Sequence, residues 1–132
     1  MSETYLAIQV SMMPRDTNPH GTIFGGVLLS YIDQAGAIGA KREVVRAGGS
    51  PPLLVTVAMD RIEFKKPVFV GDTVKFLVRL LKMGRTSVRV HVSVEAERGA
   101  EILQVTEAEV TYVGVDPRNN ERTPIPLLPE KA

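Results

Sequence analysis

The chain contains no cysteine. That removes a disulfide framework, a thiolate zinc site and a cysteine nucleophile together. Charge is nearly balanced, with 16 Lys and Arg against 15 Asp and Glu and a formal net charge of +1, whereas broad nucleic-acid binding needs a basic excess. No apolar run reaches the length of a membrane span, the longest candidate being interrupted by Ser30, Asp33 and Gln34. The N-terminal residues include Glu3 and lack the basic segment of a secretory signal, so the expected location is the cytoplasm. There is no G-x-S-x-G elbow for a serine nucleophile and no phosphate-loop lysine after "GGVLLS". His20 and His91 stand too far apart for a zinc motif, so no metal is expected.

What is present describes one ordinary globular domain: 132 residues, 44% hydrophobic and 23% charged. "TYLAIQVSM" (4–12) is rich in strand formers and stops at Pro14. A helix is expected from about Gly26 to Arg46, closed by "AGGSPP". Strands follow in "PLLVTVAMDRIEFKKPV", "GDTVKFLVRLLKM", "RTSVRVHVSVEAE" and "EILQVTEAEVTYVGV". The third of these alternates most cleanly, Val88, Val90, Val92 and Val94 against Arg89, His91, Ser93 and Glu95, which leaves His91 on an exposed face. Short links make the later strands antiparallel neighbours. The domain is expected to cover residues 1–116, with 117–132 as a proline-rich tail of no period.

One helix cannot cover both faces of such a sheet, so the second face is either polar or buried by another subunit. The helix is itself apolar around most of its circumference, through Val27, Leu28, Leu29, Ile32, Ala35, Ile38 and Val45, with a narrow polar strip of Ser30, Gln34 and Lys41. Such a helix belongs inside a wrapping sheet.

Within that helix Asp33 has no Lys or Arg three or four residues away. A carboxylate in apolar surroundings is costly unless hydrogen-bonded; it either reaches water or a partner across an interface, or serves chemistry. The preceding "DTNPHGTIFGG" (16–26) supplies context. Gly25 and Gly26 permit a close backbone approach at the helix start, where the N–H groups of Gly26, Val27 and Leu28 can polarise a carbonyl. Asn18 either initiates a turn before Pro19 or orients a carbonyl or water. His20, between Pro19 and Gly21, reads as a loop decoration. Two basic clusters, Arg61 with Lys65 and Lys66, and Arg85 with Arg89, are either solvated strand edges or a seat for a phosphorylated carrier, Thr86 and Ser87 adding hydroxyls beside Arg85.

"MPRDTNPHGTIFGGVLLSYIDQAGAIGAKR" closely resembles the signature of the hotdog-fold acyl-CoA thioesterases, in the group of the bacterial YciA-like enzymes and brain acyl-CoA hydrolase. The shared pattern is P-x-D-T-N-x-x-G-x-I-F-G-G, followed by an Asp seven residues past the second glycine of the pair. Weaker similarity continues through "VTVAMDRIEFKKPVFVGD" and "GRTSVRV" to about residue 115, and the tail lies outside it. The resemblance implies an α+β hotdog fold, a long central helix wrapped by a curved antiparallel sheet. It implies a homodimer joined edge to edge and assembled further as a trimer of dimers. Asn18 of one subunit and Asp33 of its partner would form the site, with Gly26 polarising the thioester. The implied reaction is hydrolysis of acyl-CoA to a carboxylic acid and free coenzyme A, Asp33 acting as general base or as nucleophile. Gly25, Arg61, Arg85, Thr86 and Ser87 are the expected contacts of the coenzyme A moiety, and no separate cofactor is implied. A hotdog-fold enoyl-CoA hydratase and a non-catalytic acyl-CoA-binding regulator are the alternatives; the hydratase motif places its His one residue further on than "DTNPH" does.

Overall fold

The computed structural model describes residues 3–118 and 121–129. Residues 1–2 of the expected domain, and 119–120 and 130–132 of the expected tail, lie outside the described residues. The elements follow the expected order: β1 (Thr4–Ser11), a short 3-10 turn at Pro14–Asp16, α1 (Gly25–Arg46), β2 (Leu53–Phe64), β3 (Thr73–Met83), β4 (Ser87–Arg98) and β5 (Glu101–Val115). The strands form one antiparallel sheet in the order β1-β3-β4-β5-β2, curved and not closed. β2 and β1 are its edges.

The alternation in β4 is the most literal translation of sequence into structure. Val88, Val90, Val92, Val94 and Ala96 all face inward with no exposed surface, each valine contributing about 1.5–3 kcal/mol on burial. On the opposite face, ion pairs link Arg89 to Glu109, Lys65 to Glu107 and Lys75 to Glu97. His91 departs from expectation here. Its side chain is only 18% exposed, because Arg79 and Glu109 flank it as cross-strand neighbours and Glu107 comes within 3.6 Å.

The helix lies on the concave face through Leu28, Ile32, Ala35, Gly36, Gly39, Ala40 and Val44. Its approach is close: a Cβ at position 39 would stand 2.4 Å from Val78 Cγ1. The helix ends where Gly48 turns to φ +102°, a conformation that favours glycine. The sheet does not wrap it completely, and Ile38 (42% exposed) and Val45 (47% exposed) face away from the core. A five-stranded sheet covers one side of the helix only.

Residues 121–129 return onto the sheet although composition marks them as a tail. Asp116 N–H donates to Thr123 O, Ile125 N–H to Gly114 O and Leu127 N–H to Arg85 O. Leu127 is 5% exposed and joins the main core. Leu127→Ala is therefore expected to cost about 2–5 kcal/mol, the range for a truncated core leucine. Urea denaturation should show it as a lower midpoint at unchanged slope.

Candidate active site

The loop before α1 is built around Asn18. Its Oδ1 accepts from His20 N–H (2.9 Å) and Thr22 N–H (3.2 Å), and its Nδ2 donates to Thr22 Oγ1 (2.8 Å). Its backbone pairs with Thr22 and Gly21. The side chain thus does the turn-forming work first, with one amide hydrogen left over. His20 lies exposed on this loop. The loop is held against the molecule by Ile23 N–H, which donates to Val68 O, in a segment that Asp72 and Arg98 brace. Asp72 is nearly fully buried and carries a two-pronged bond from Arg98 and one from Phe69 N–H. Burial pushes its carboxyl up, but these donors outweigh burial and hold it below the ordinary carboxylate range.

At the helix start, Val27 and Leu28 N–H both turn back to the Phe24 carbonyl, and no side chain caps the end. The expected trio of free donors is therefore reduced, and the N–H of Gly26, an exposed residue, has no acceptor among the described residues. Two hollows flank this point. One, of about 400 Å³, touches Asp16, Gly26, Val27 and Ser30. The other, of about 320 Å³, is lined by Gly25, Leu28, Phe64 and Val68 beside Lys65 and Lys66.

Asp33 sits half-buried in the middle of α1 and has no cationic partner among the described residues. Its Oδ1 accepts from Thr56 Oγ1 on β2 at 2.7 Å, and its backbone carbonyl accepts from Tyr112 Oη on β5 at 2.7 Å. Burial first, then the neighbouring Asp33 carboxylate, push the Tyr112 phenol far up, so it remains a neutral donor. Neither hydroxyl is foreseeable from spacing: Thr56 is 23 and Tyr112 is 79 residues from Asp33. No local signal marks either one: Thr56 is an exposed residue of β2 and Tyr112 a buried residue of β5.

The structure does not gather all expected residues in one place. The bonds of Asn18 stay within its loop, while those of Asp33 go to β2 and β5. Gly26 and Asp33 are seven residues apart on one helix, about 10 Å along its axis. Arg61 occupies a bulge of β2 with φ +52°, and its side chain is 76% exposed, 3.8 Å from Glu109. Arg85 and Thr86 lie in the β3–β4 turn and Ser87 opens β4, with Gly84 N–H donating to Ser87 O. Glu109 lies opposite His91 and Val113 opposite Ser87, so the two basic groups are separated by roughly 13 Å of strand. Among the described residues no cluster of three His, Asp or Glu is placed to hold a metal ion, and no helix is long and apolar enough to cross a membrane.

Residues 20–103 match the family model described as the thioesterase superfamily. The chain belongs to that superfamily. Its span takes in the whole of α1 with Asp33, and Thr56 on β2, but stops before Tyr112. Among thioesterase relatives, the acyl-CoA thioester hydrolase YciA of Salmonella typhimurium is 38% identical over 127 residues, covering 92% of this chain and 90% of the relative. A hexameric hotdog-fold thioesterase of Campylobacter jejuni superposes with a TM-score of 0.80 at 41% identity, over 92% of this chain and 88% of that one. A hexameric thioesterase from Yersinia pestis gives a TM-score of 0.84 at 36% identity, over 98% and 99%. The α+β hotdog architecture read from the sequence is thus the architecture of this thioesterase.

Proposed function

We propose that this chain hydrolyses acyl-CoA thioesters, with Asp33 as the proton acceptor. The observation that carries the site assignment is the Asp33 carboxylate, unpaired with any cation among the described residues and oriented by the Thr56 hydroxyl. Asp33 removes a proton from water as the water oxygen attacks the thioester carbonyl carbon. The oxyanion that forms is met by the Gly26 N–H, and Asn18 uses its remaining amide hydrogen to orient the carbonyl or the water. The C–S bond then breaks, the acid departs, and the coenzyme A thiolate takes up the proton that Asp33 removed from water, which restores the carboxylate. Donors aimed at a developing oxyanion are typically worth ~10²–10³ in rate.

Ten ångströms of helix between Gly26 and Asp33 place both beyond reach of a single carbonyl, so the reading needs two copies: the loop and helix start of one, the Asp33 of the other. β2 suits this arrangement as a free sheet edge carrying the exposed Leu53, Val57 and Phe64. A homodimer extended into a trimer of dimers would also cover Ile38 and Val45. Arg61 on one side, and Arg85, Thr86 and Ser87 on another, are assigned to the coenzyme A phosphates, with Gly25 allowing close approach. No cofactor is assigned. The cytoplasm is the proposed location.

The test is thiol release from a panel of acyl-CoAs of different chain length. Stoichiometric free coenzyme A and carboxylic acid are expected. Hydration of crotonyl-CoA without thiol release, or tight binding with neither product, would overturn the reading.

A further inference from the structure

We propose that Tyr112 is a positioning residue for Asp33, and that position 36 is glycine because the tyrosine hydroxyl must pass there to reach the helix. The proposal rests on the assignment of Asp33 as the proton acceptor.

Thr56 and Tyr112 are direct cross-strand partners in the β2–β5 register. One rung of the sheet therefore presents two hydroxyls to a single helical residue. Thr56 holds the carboxylate and Tyr112 the backbone carbonyl of the same Asp33. A helical carbonyl normally accepts only from the N–H four residues on; a second donor has to come in from the side. On that side a Cβ at position 36 would lie 2.2 Å from Tyr112 Oη, closer than non-bonded atoms approach. Alanine at this mid-helix position would be the better helix former, so the glycine is kept at a cost that the hydroxyl explains.

The ring of Tyr112 is 1% exposed, and phenylalanine would fill the same volume without burying a polar group. What the hydroxyl adds is a fixed distance between α1 and β5 at Asp33. The rung carries Thr56 on the neighbouring strand, so the same tie sets where the carboxylate meets its donor. Displacement of a reacting group by about 1 Å costs up to ~10²-fold in rate.

The experiment measures kcat, KM and thermal unfolding for Tyr112→Phe, Gly36→Ala and the double variant, and repeats Tyr112→Phe in an Asp33→Asn background under single-turnover conditions with enzyme in excess. Tyr112→Phe is expected to lower kcat about tenfold or more with KM within about twofold. In the Asp33→Asn background the same change should add no further loss, because the group it positions is gone. Gly36→Ala should lower both the melting temperature and kcat. Adding Tyr112→Phe should restore much of the melting temperature, since the next ring atoms lie at 3.2 and 3.3 Å from that Cβ, while kcat stays at the Tyr112→Phe level.

Wild-type kcat in Tyr112→Phe, or an equal proportional loss with and without Asp33, would overturn the proposal. Failure of the second substitution to rescue Gly36→Ala would overturn the role given to glycine. Full turnover in Asp33→Asn would instead overturn the assignment of the proton acceptor.

Discussion

Asp33→Asn is expected to lower kcat for thiol release by about 10²–10⁴ while changing KM little, the loss typical of removing a general base. The substitution is chosen because it separates chemistry from architecture. Asparagine keeps the shape of aspartate and an oxygen that can accept the Thr56 hydroxyl, and the Tyr112 bond goes to the backbone and survives. No ion pair is broken, since Asp33 has no cationic partner among the described residues. The variant should therefore fold, assemble and bind coenzyme A as before. It lacks only a group that can take a proton from water, or attack the carbonyl itself. Turnover within about threefold of wild type would remove Asp33 from the mechanism.

Two variants that are inactive alone should become active when their subunits share a dimer. Asn18→Ala removes the loop side chain and Asp33→Asn the carboxylate. If each site draws its loop from one copy and its carboxylate from the other, a mixed dimer holds one intact site and one doubly damaged site. Random pairing of equal amounts makes half of the dimers mixed, so activity should recover to about a quarter of wild type. Differently tagged subunits, co-expressed and purified through both tags, would show about half of wild-type activity per dimer. The geometry behind this is plain. Asn18 is tied into its own loop by Thr22 and His20, and Asp33 looks toward the β2 edge. Mixed dimers without activity would mean that loop and carboxylate do not cooperate across an interface.

How much of this was legible in the chain varied with the range of the interaction. The β4 valines declare their buried face because strand geometry repeats every two residues, and no tertiary detail is needed to read it. The helix, expected from Gly26, runs from Gly25 to Arg46, since its punctuation is local. Asp33 was legible as an acid without a local cation. Its two hydroxyl partners were not, because strand pairing alone brings Thr56 and Tyr112 to one rung. The turn role of Asn18 and its suggested chemical role both rest on the same side chain, and within one chain the turn role uses most of its hydrogen-bonding capacity. His91 is more buried than its place in the alternation implies, because alternation gives the face a residue points to, not the bulk of its neighbours. Ile38 and Val45 look like core by composition, yet the open sheet leaves them uncovered.

The strand order also carries a consequence for how the molecule comes into being. Among the described residues β2 pairs only with β5, the last strand to be synthesised. A nascent chain emerging from the ribosome can therefore form the helix early, but it cannot seat β2 until residues near 112 have followed. Until then the apolar stripe of the helix lacks the ring that covers Gly36, and Asp33 lacks both hydroxyls that orient it. Non-local pairing of this kind slows folding. Asp33, the proposed proton acceptor, is among the first of these groups made and the last to be put in place.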